Sequence, residues 1–596
     1  MYANLDNFNS IVSLFNHQVS ELKNKPYLWS KIQGKYSSLS WEETKSQVEA
    51  ISSSLLDLGV LQGDRVAIIS ENRPEWQIAD IAIMSIGAIT VPAYTTSTQK
   101  DYEYILNHCE ARCLIVSTET LAKKAIPAAA NSSKCKNIIM IEELKEMENN
   151  NVSIASWKNL LKENENNNIN LIENAKNIKR KDTACIIYTS GTGGNPKGVM
   201  LSHGSMMHNC SGAQELLYNE ISNIKNIRFL SWLPLSHSYE HTLQYYKMSV
   251  GGEIYYAEGI DKLLLNMSEA KPHIMTAVPR FYDSLYTRIS QGLKSQSKIS
   301  QFLFNKTIEL GKKKYLNGEL SVTENFFNNL LSKIVRKKVK KRFGGNLLAL
   351  VSGGAALNFE IGLYLSALGL PLLQGYGQTE TGPVISANIP EKIKLDTVGP
   401  PLKNTKVKIA EDGEILVNGE NMMNGYWNDP ESTNKAIKNG WVHTGDIGEL
   451  DSDNYLKITD RKKDIIVNAG GDNISPTRIE EKINIQPEIA QSMLYGDFKN
   501  YLVAIIVPDK EFIKKWSEEN NKNFDIKEII NDEDFIKIIK NSVDKVNQNV
   551  SVIENVRKFL LIDEEFTVEN DMMTPTLKVR RFKVKEKYKE KLENLY

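Results

Sequence analysis

Residues 188–199, YTSGTGGNPKGV, gather three aliphatic hydroxyls, four glycines and one lysine into twelve positions. Such a set suits a polyphosphate. Glycines let backbone N–H groups crowd an anion, and Gly191, Gly193, Gly194 and Gly198 supply that freedom. Thr189, Ser190 and Thr192 can donate to phosphate oxygens or ligate a metal, and Lys197 adds a cation. The apolar run before it, residues 183–187, reads as a buried strand that carries the loop at its end. A P-loop NTPase needs G-x-x-x-x-G-K-[ST] opening directly into a helix. Here Pro196 precedes Lys197, Gly198 follows it, and residues 199–201 read as strand, so a P-loop ATPase fails on spacing. A plain flexible Gly/Ser turn is the competing reading.

Glycine marks two later strand ends as well. SGGAAL (352–357) follows an apolar run at 347–351, and QGYGQTETG (374–382) follows one at 370–373. Both are expected at one edge of a sheet, where open α/β sheets place their sites. The second holds Tyr376, Thr379 and Glu380 within five residues, a ring, a hydroxyl and a carboxylate that can stack a base, touch a phosphate and hold Mg²⁺. SWLPLSHSYEH (231–241) reads as a short apolar strand with His237 and Glu240 at its end, although a lone histidine is more often structural. Taken alone, Asp446 in HTGD reads as a turn cap. Lys578 in MTPTLKVRR reads alone as a solvated surface lysine.

The elements that must position these groups follow from periodicity. Over residues 36–97 helix and strand alternate: 41–58 is amphipathic, 65–69 is a strand after the Gly63-Asp64 turn, and 75–86 is a second helix. That is α/β wiring with a parallel sheet. Residues 149–181, rich in Asn, Glu and Lys, read as a polar surface segment or loop. Beyond Gly399, short β-segments at 406–409, 414–417 and 441–444 suggest a small β-rich subdomain. Strands within 493–507 and a charged amphipathic helix over 527–546 suggest an α+β cap.

Residues 286–343 read as a long helical region with two basic clusters, Lys312-Lys313-Lys314 and residues 336–342. Phe302, Phe304, Phe326, Phe327, Leu330 and Leu331 are interspersed with them. A solvated helical insertion is the weightier reading. Peripheral docking on anionic lipid is the other.

Bulk properties narrow the class. Basic and acidic residues each total 73 in 596, so net charge offers no ground for nucleic acid and any basic surface is local. Apolar stretches near 81–94 and 347–359 are shorter than a membrane span or broken by polar residues. The amino terminus lacks the basic-then-apolar pattern of a secretory signal. Five cysteines without C-x-x-C spacing favour reduced thiols that fill a core in a cytoplasmic protein.

The loop at 188–199, the motifs SGGAAL, QGYGQTETG, HTGD and DRKKD (460–464), and the lysine near the chain end occur in an order that resembles the acyl-adenylate-forming (AMP-binding) superfamily. Residues 63–94 are most similar to the long-chain fatty-acid:CoA ligases (long-chain acyl-CoA synthetases). The resemblance spans nearly the whole chain. It implies an α/β protein whose large amino-terminal domain, residues 1–459, has two α/β subdomains plus a small β-rich one. A small mobile α+β carboxy-terminal domain, residues 460–596, follows, hinged at Asp460. The implied substrates are a fatty acid, ATP and CoA, with Mg²⁺.

By that resemblance Thr189 and Glu380 ligate the metal and act in catalysis, and Ser190, Gly191, Thr192, Gly193, Gly194 and Lys197 hold phosphates. Gly353, Gly354, Gln374, Gly375, Tyr376 and Gly377 line the adenine pocket, and Thr379 contacts phosphate. Asp446 accepts the ribose hydroxyls, Arg461 reaches the nucleotide, and Lys463 is a weaker contact. His237 borders the acyl and thiol pocket and counts among the catalytic residues, residues 468–476 approach the thiol tunnel, and Lys578 is the catalytic lysine of a mobile loop. Val467 and Asn473 depart from residues that touch nucleotide in some relatives, and no tryptophan gate follows Glu240. An adenylate ligase serving a carrier protein, and a scaffold without turnover, are the alternatives.

Overall fold

The computed structural model describes residues 3–144, 152–164, 170–189, 195–574 and 578–596. Among them, two eight-stranded sheets dominate the amino-terminal part. In the first, Arg65–Ile69 lies between Ile89–Ala93 and Cys113–Val116, all parallel. Asn137–Met140 and Ser153–Ser156 extend one side in parallel. On the other side Thr183–Thr189 runs parallel to Ile89–Ala93, and Lys197–Ser202 and Gly425–Tyr426 complete the sheet antiparallel. These strands are short apolar runs because helices cover both faces. Trp41–Asp57, capped by Ser40 and Glu43, and Pro74–Ser85 lie among them and bury Trp41 and Trp76.

The second sheet places Arg228–Ser231, Ile274–Ala277, Ala349–Ser352 and Leu372–Gly377 side by side in parallel. The glycine-rich segments at 352–357 and 374–382 therefore leave the same edge. Val384–Ala387 closes that side antiparallel, and the hairpin Pro26–Ile32 and Lys35–Ser40 closes the other through Glu253–Tyr256. A smaller antiparallel sheet holds Lys406–Ile409, Glu414–Asn418, Trp441–Leu450 and Leu456–Arg461. The last part of the chain forms a three-stranded sheet of Ile489–Tyr495, Leu502–Pro508 and Val556–Leu561 flanked by helices. The architecture is thus α/β with a large amino-terminal and a small carboxy-terminal domain. All five cysteines are buried free thiols, and no helix among the described residues is long and apolar enough to cross a membrane.

Three local expectations are corrected. Residues 149–181 are not only polar loop: Ser153–Ser156 pairs on the sheet edge, and the helix Trp157–Glu163 buries Trp157 and Leu160, an i, i+3 apolar pair that outweighs its polar surroundings. The strand read into 231–241 ends at Ser231, and His237 instead caps the helix Ser238–Ser249. The helix read over 527–546 is split. A turn of helix at Ile526–Ile529 precedes Glu533–Asn547, because Asp532 caps a new start.

Candidate active site

The hairpin of Thr183–Thr189 and Lys197–Ser202 pairs Thr189 with Lys197 at its loop end. Two strands thus flank the loop, as the failed P-loop count requires. Residues 190–194 lie outside the described residues, so Ser190, Gly191, Thr192, Gly193 and Gly194 have no structural placement here. The described candidates fall together. Thr189, Lys197, His237, Thr379 and Glu380 line one cavity of about 1440 Å³. Gly353, Gly354, Gln374, Gly375, Tyr376 and Gly377 line it too, as do Asp446, Arg461, Lys463 and Lys578. They come from both large sheets, the small β-sheet and the last stretch of the chain.

Asp446 and Arg461 are register partners on adjacent antiparallel strands, so their side chains meet. Asp446 is only 4% exposed. Its Oδ2 accepts from the Tyr376 hydroxyl at 2.6 Å, and Arg461 Nε stands 3.2 Å from Oδ1. Burial and the Asp446 charge hold the Tyr376 phenol well above its ordinary range, so it stays a donor. Glu380 sits in the short 3₁₀ turn Thr379–Thr381, where Tyr426 donates to Oε1 at 2.9 Å and leaves Oε2 for a cation. Thr379 Oγ1 and Ser238 Oγ are 3.0 Å apart. Lys197 Nζ donates to Ser432 Oγ at 2.6 Å and lies 5.0 Å above the Tyr426 ring, with Asp429 at 4.0 Å.

Some candidates also carry packing duties. A Cβ on Gly377 would meet the Pro383 carbonyl oxygen at 1.9 Å, so the neighbouring backbone alone demands glycine there. The Gln374 side-chain amide donates to the Leu395 carbonyl and supports the wall. Nδ1 of His237 accepts from the Tyr239 N–H at 3.1 Å, which leaves the ring proton to Nε2. Burial, then the Lys578 charge, pushes His237 down to about 4, so the ring is neutral near pH 7.

The carboxy-terminal domain brings Lys578 to the same cavity. Its side chain is exposed to the cavity, and desolvation by the surrounding protein, followed by the Arg461 charge, pushes the ammonium down to about 8. Asp446, Glu380 and Asp464 pull the other way. Nearby, Arg581 grips Glu480 through both carboxylate oxygens and stands 3.9 Å from Asp464. Asp460, near the end of the strand Leu456–Arg461, is raised to about 6 by burial.

Sequence reasoning missed Tyr426, Ser432 and Ser238. Tyr426 reaches Glu380 because Gly425–Tyr426 adds to the first sheet beside Val199, a pairing more than 200 residues apart that no local pattern announces. Between the helices His203–Ile221 and Ser238–Ser249 the cavity has an apolar arm, lined by Ala213, Leu216, Leu217, Phe229 and Leu243.

A cavity where two α/β sheets meet, lined by hydroxyls, carboxylates and cations, suits an enzyme that binds a phosphorylated nucleotide beside a second substrate. The profile of the AMP-binding enzyme family matches residues 15–427, and that of the AMP-binding enzyme C-terminal domain matches 463–596. The chain belongs to the AMP-binding enzyme family. It is 31% identical to the long-chain-fatty-acid–CoA ligase FadD15 of Mycobacterium tuberculosis, over 95% of this chain and 93% of that protein. It is 30% identical to the peroxisomal long chain acyl-CoA synthetase 6 of Arabidopsis thaliana, over 98% of this chain and 85% of that one. In fold it is similar to the adenylation domain of a Mycobacterium chelonae carboxylate reductase, with TM-score 0.76 at 20% identity, covering 98% and 91% of the two chains. It is likewise similar to the Bacillus subtilis O-succinylbenzoate CoA synthetase solved with ATP and magnesium, with TM-score 0.68 at 19% identity, covering 96% and 99%.

Proposed function

We propose that this protein is an AMP-forming long-chain fatty-acid:CoA ligase. A fatty carboxylate attacks the α-phosphorus of ATP, the bond to the β-phosphate oxygen breaks, and pyrophosphate leaves. The CoA thiol then attacks the acyl carbonyl of acyl-AMP, loses its proton, and AMP departs. The observation that carries the reading is that Lys197, Glu380, Asp446, Arg461 and Lys578 converge from distant segments on one cavity that also has an apolar arm.

In this reading Asp446 takes the ribose hydroxyls while Tyr376 and Arg461 hold its carboxylate. Lys197 and the hydroxyl of Thr189 meet the phosphates, and Lys578 meets the charge that develops on the α-phosphoryl oxygens. The Glu380 carboxylate and Thr189 hydroxyl are hard oxygen donors suited to Mg²⁺, which when bound neutralises phosphate charge. His237 is neutral and structural in its hydrogen bonding, so it borders the acyl arm rather than moving a proton. The domain division at 459/460, with Asp460 as hinge, is part of this proposal. Rotation there would withdraw Lys578 and present residues 468–476 to CoA. The buried thiols support a cytoplasmic setting.

The test is incubation with ATP and oleate, with and without CoA. AMP and oleoyl-CoA are expected. ADP would overturn the reading, and acyl-AMP that ignores CoA would favour transfer to a carrier protein.

A further inference from the structure

The helical region that follows Ile274–Ala277 is built inside out on one side. Its helices are Pro279–Lys294, Lys298–Asn317 and Val322–Leu331, the last continuing through a π-helical turn, Ser332–Arg336, into Lys337–Arg342. A solvated insertion turns its polar side to water. Here the helix Val322–Leu331 buries Asn328 with Leu331 and exposes Val322, Phe326, Phe327 and Leu330, at 88, 69, 55 and 44%. Their spacing, i, i+4, i+5 and i+8, makes them one outward stripe. The Phe326 and Phe327 rings pack edge-on against each other, centroids 6.1 Å apart. Ile299 and Phe302, 74 and 67% exposed, add a second apolar site at the start of the neighbouring helix.

Charge is arranged to match. No Asp or Glu occurs between residues 325 and 359, although the chain as a whole is neutral. Lys333, Lys337, Lys338, Lys341 and Arg342 are exposed and make no ion pair among the described residues. Arg336 is different: it fastens the turn inward, donating to the Ala367 carbonyl at 2.7 Å and to Ser332 Oγ at 2.7 Å. The mount is firm. Gly311 lets the helix Lys298–Asn317 approach Phe359–Ala367 so closely that a Cβ there would lie 2.6 Å from Ala367. Phe359 lines the cavity, and the Tyr315 ring stands 6.4 Å from it.

We infer that the outward face of residues 299–342 is a docking surface for an anionic lipid bilayer. An apolar stripe running into unpaired cations over about 30 Å of continuous helix has the form of an interfacial helix. The phenylalanines and aliphatic side chains enter the acyl boundary, and the lysines meet phosphate headgroups. Mixed aliphatic and aromatic exposure favours lipid over nucleic acid, whose stacking platforms are aromatic. The surface stands apart from the adenylation groups, so its test needs no turnover.

The experiment is co-sedimentation of the full chain with vesicles of phosphatidylcholine alone and of phosphatidylcholine with phosphatidylglycerol, at low and high salt. Binding to the anionic vesicles should exceed that to neutral ones by ~10-fold at low salt and weaken as salt rises. The double substitution Phe326→Ser with Phe327→Ser, and separately Lys337→Gln with Lys338→Gln and Lys341→Gln, should each lower it by ~10-fold or more while the thermal unfolding transition is unchanged. Absence of vesicle binding by the unsubstituted protein would overturn the inference. So would equal binding by correctly folded variants, or capture of RNA or of a protein partner through this face without vesicle binding.

Discussion

On the amino-terminal side of the cavity the polar groups are already held. Tyr426 fixes Glu380, Tyr376 fixes Asp446, Ser238 meets Thr379 and Ser432 meets Lys197, all within 2.6–3.0 Å. On the carboxy-terminal side, Lys578 is fixed, among the described residues, through its backbone. Its N–H donates to Thr574 Oγ1 at 3.1 Å and its carbonyl accepts from the Thr574 N–H at 2.8 Å, while the ammonium faces the Arg461 charge. One wall is preorganised to bind; the other presents a cation whose field comes from both the Arg461 charge and the Asp446, Glu380 and Asp464 carboxylates. That division suits a reaction whose two halves need different neighbours.

The sharpest way to break the comparison is Lys578→Ala. Acyl-adenylate formation should fall by ~10³-fold while thioester formation from supplied acyl-AMP changes little. Equal loss in both half-reactions would show that the walls do not divide the work. Glu380→Gln should lower adenylation by ~10²-fold, with the loss read as a raised Mg²⁺ requirement in pyrophosphate exchange.

The pH profile tests the carboxy-terminal wall. Lys578 is cationic below about 8 and neutral above it, so adenylation should decline as pH rises through that value, approaching tenfold per unit. Bound polyphosphate moves the midpoint upward, and Lys578→Arg, which keeps its charge, should remove the alkaline limb. Tyr426→Phe should cost ~10-fold in apparent affinity for ATP, the lower end of the scale of one hydrogen bond to a charged group, measured by titration calorimetry. The smallest effect is expected from His237→Asn. Because the ring is neutral above about 4 and serves as a cap, activity should stay within ~2-fold and the profile between pH 5 and 7 should not move.

Much of the candidate site was legible in the sequence, because the residue types that suit phosphate chemistry, glycines, hydroxyls and a lysine, lie close together in the chain. Thr189 with Lys197, and Tyr376 with Thr379 and Glu380, announce themselves by spacing. The apolar runs at 65–69, 183–187 and 347–351 likewise foretold strands that the fold contains. The strand read into 231–241 misled because a cap and a strand end look alike in a run of polar residues, although His237 does line the cavity. Tyr426 and Ser432 gave no signal, since their value lies wholly in which strand Gly425–Tyr426 joins.

Local pattern thus determined most element types and the order of the motifs, because period and turn chemistry act over a few residues. Tertiary structure alone decided that the hairpin at 26–40 joins the second sheet, that Lys578 shares a cavity with Glu380 and Asp446, and that Phe326 faces outward while Asn328 is buried. These depend on strand order and on which face of a helix finds a partner. Those quantities are set by packing between segments hundreds of residues apart, where sequence spacing carries no distance.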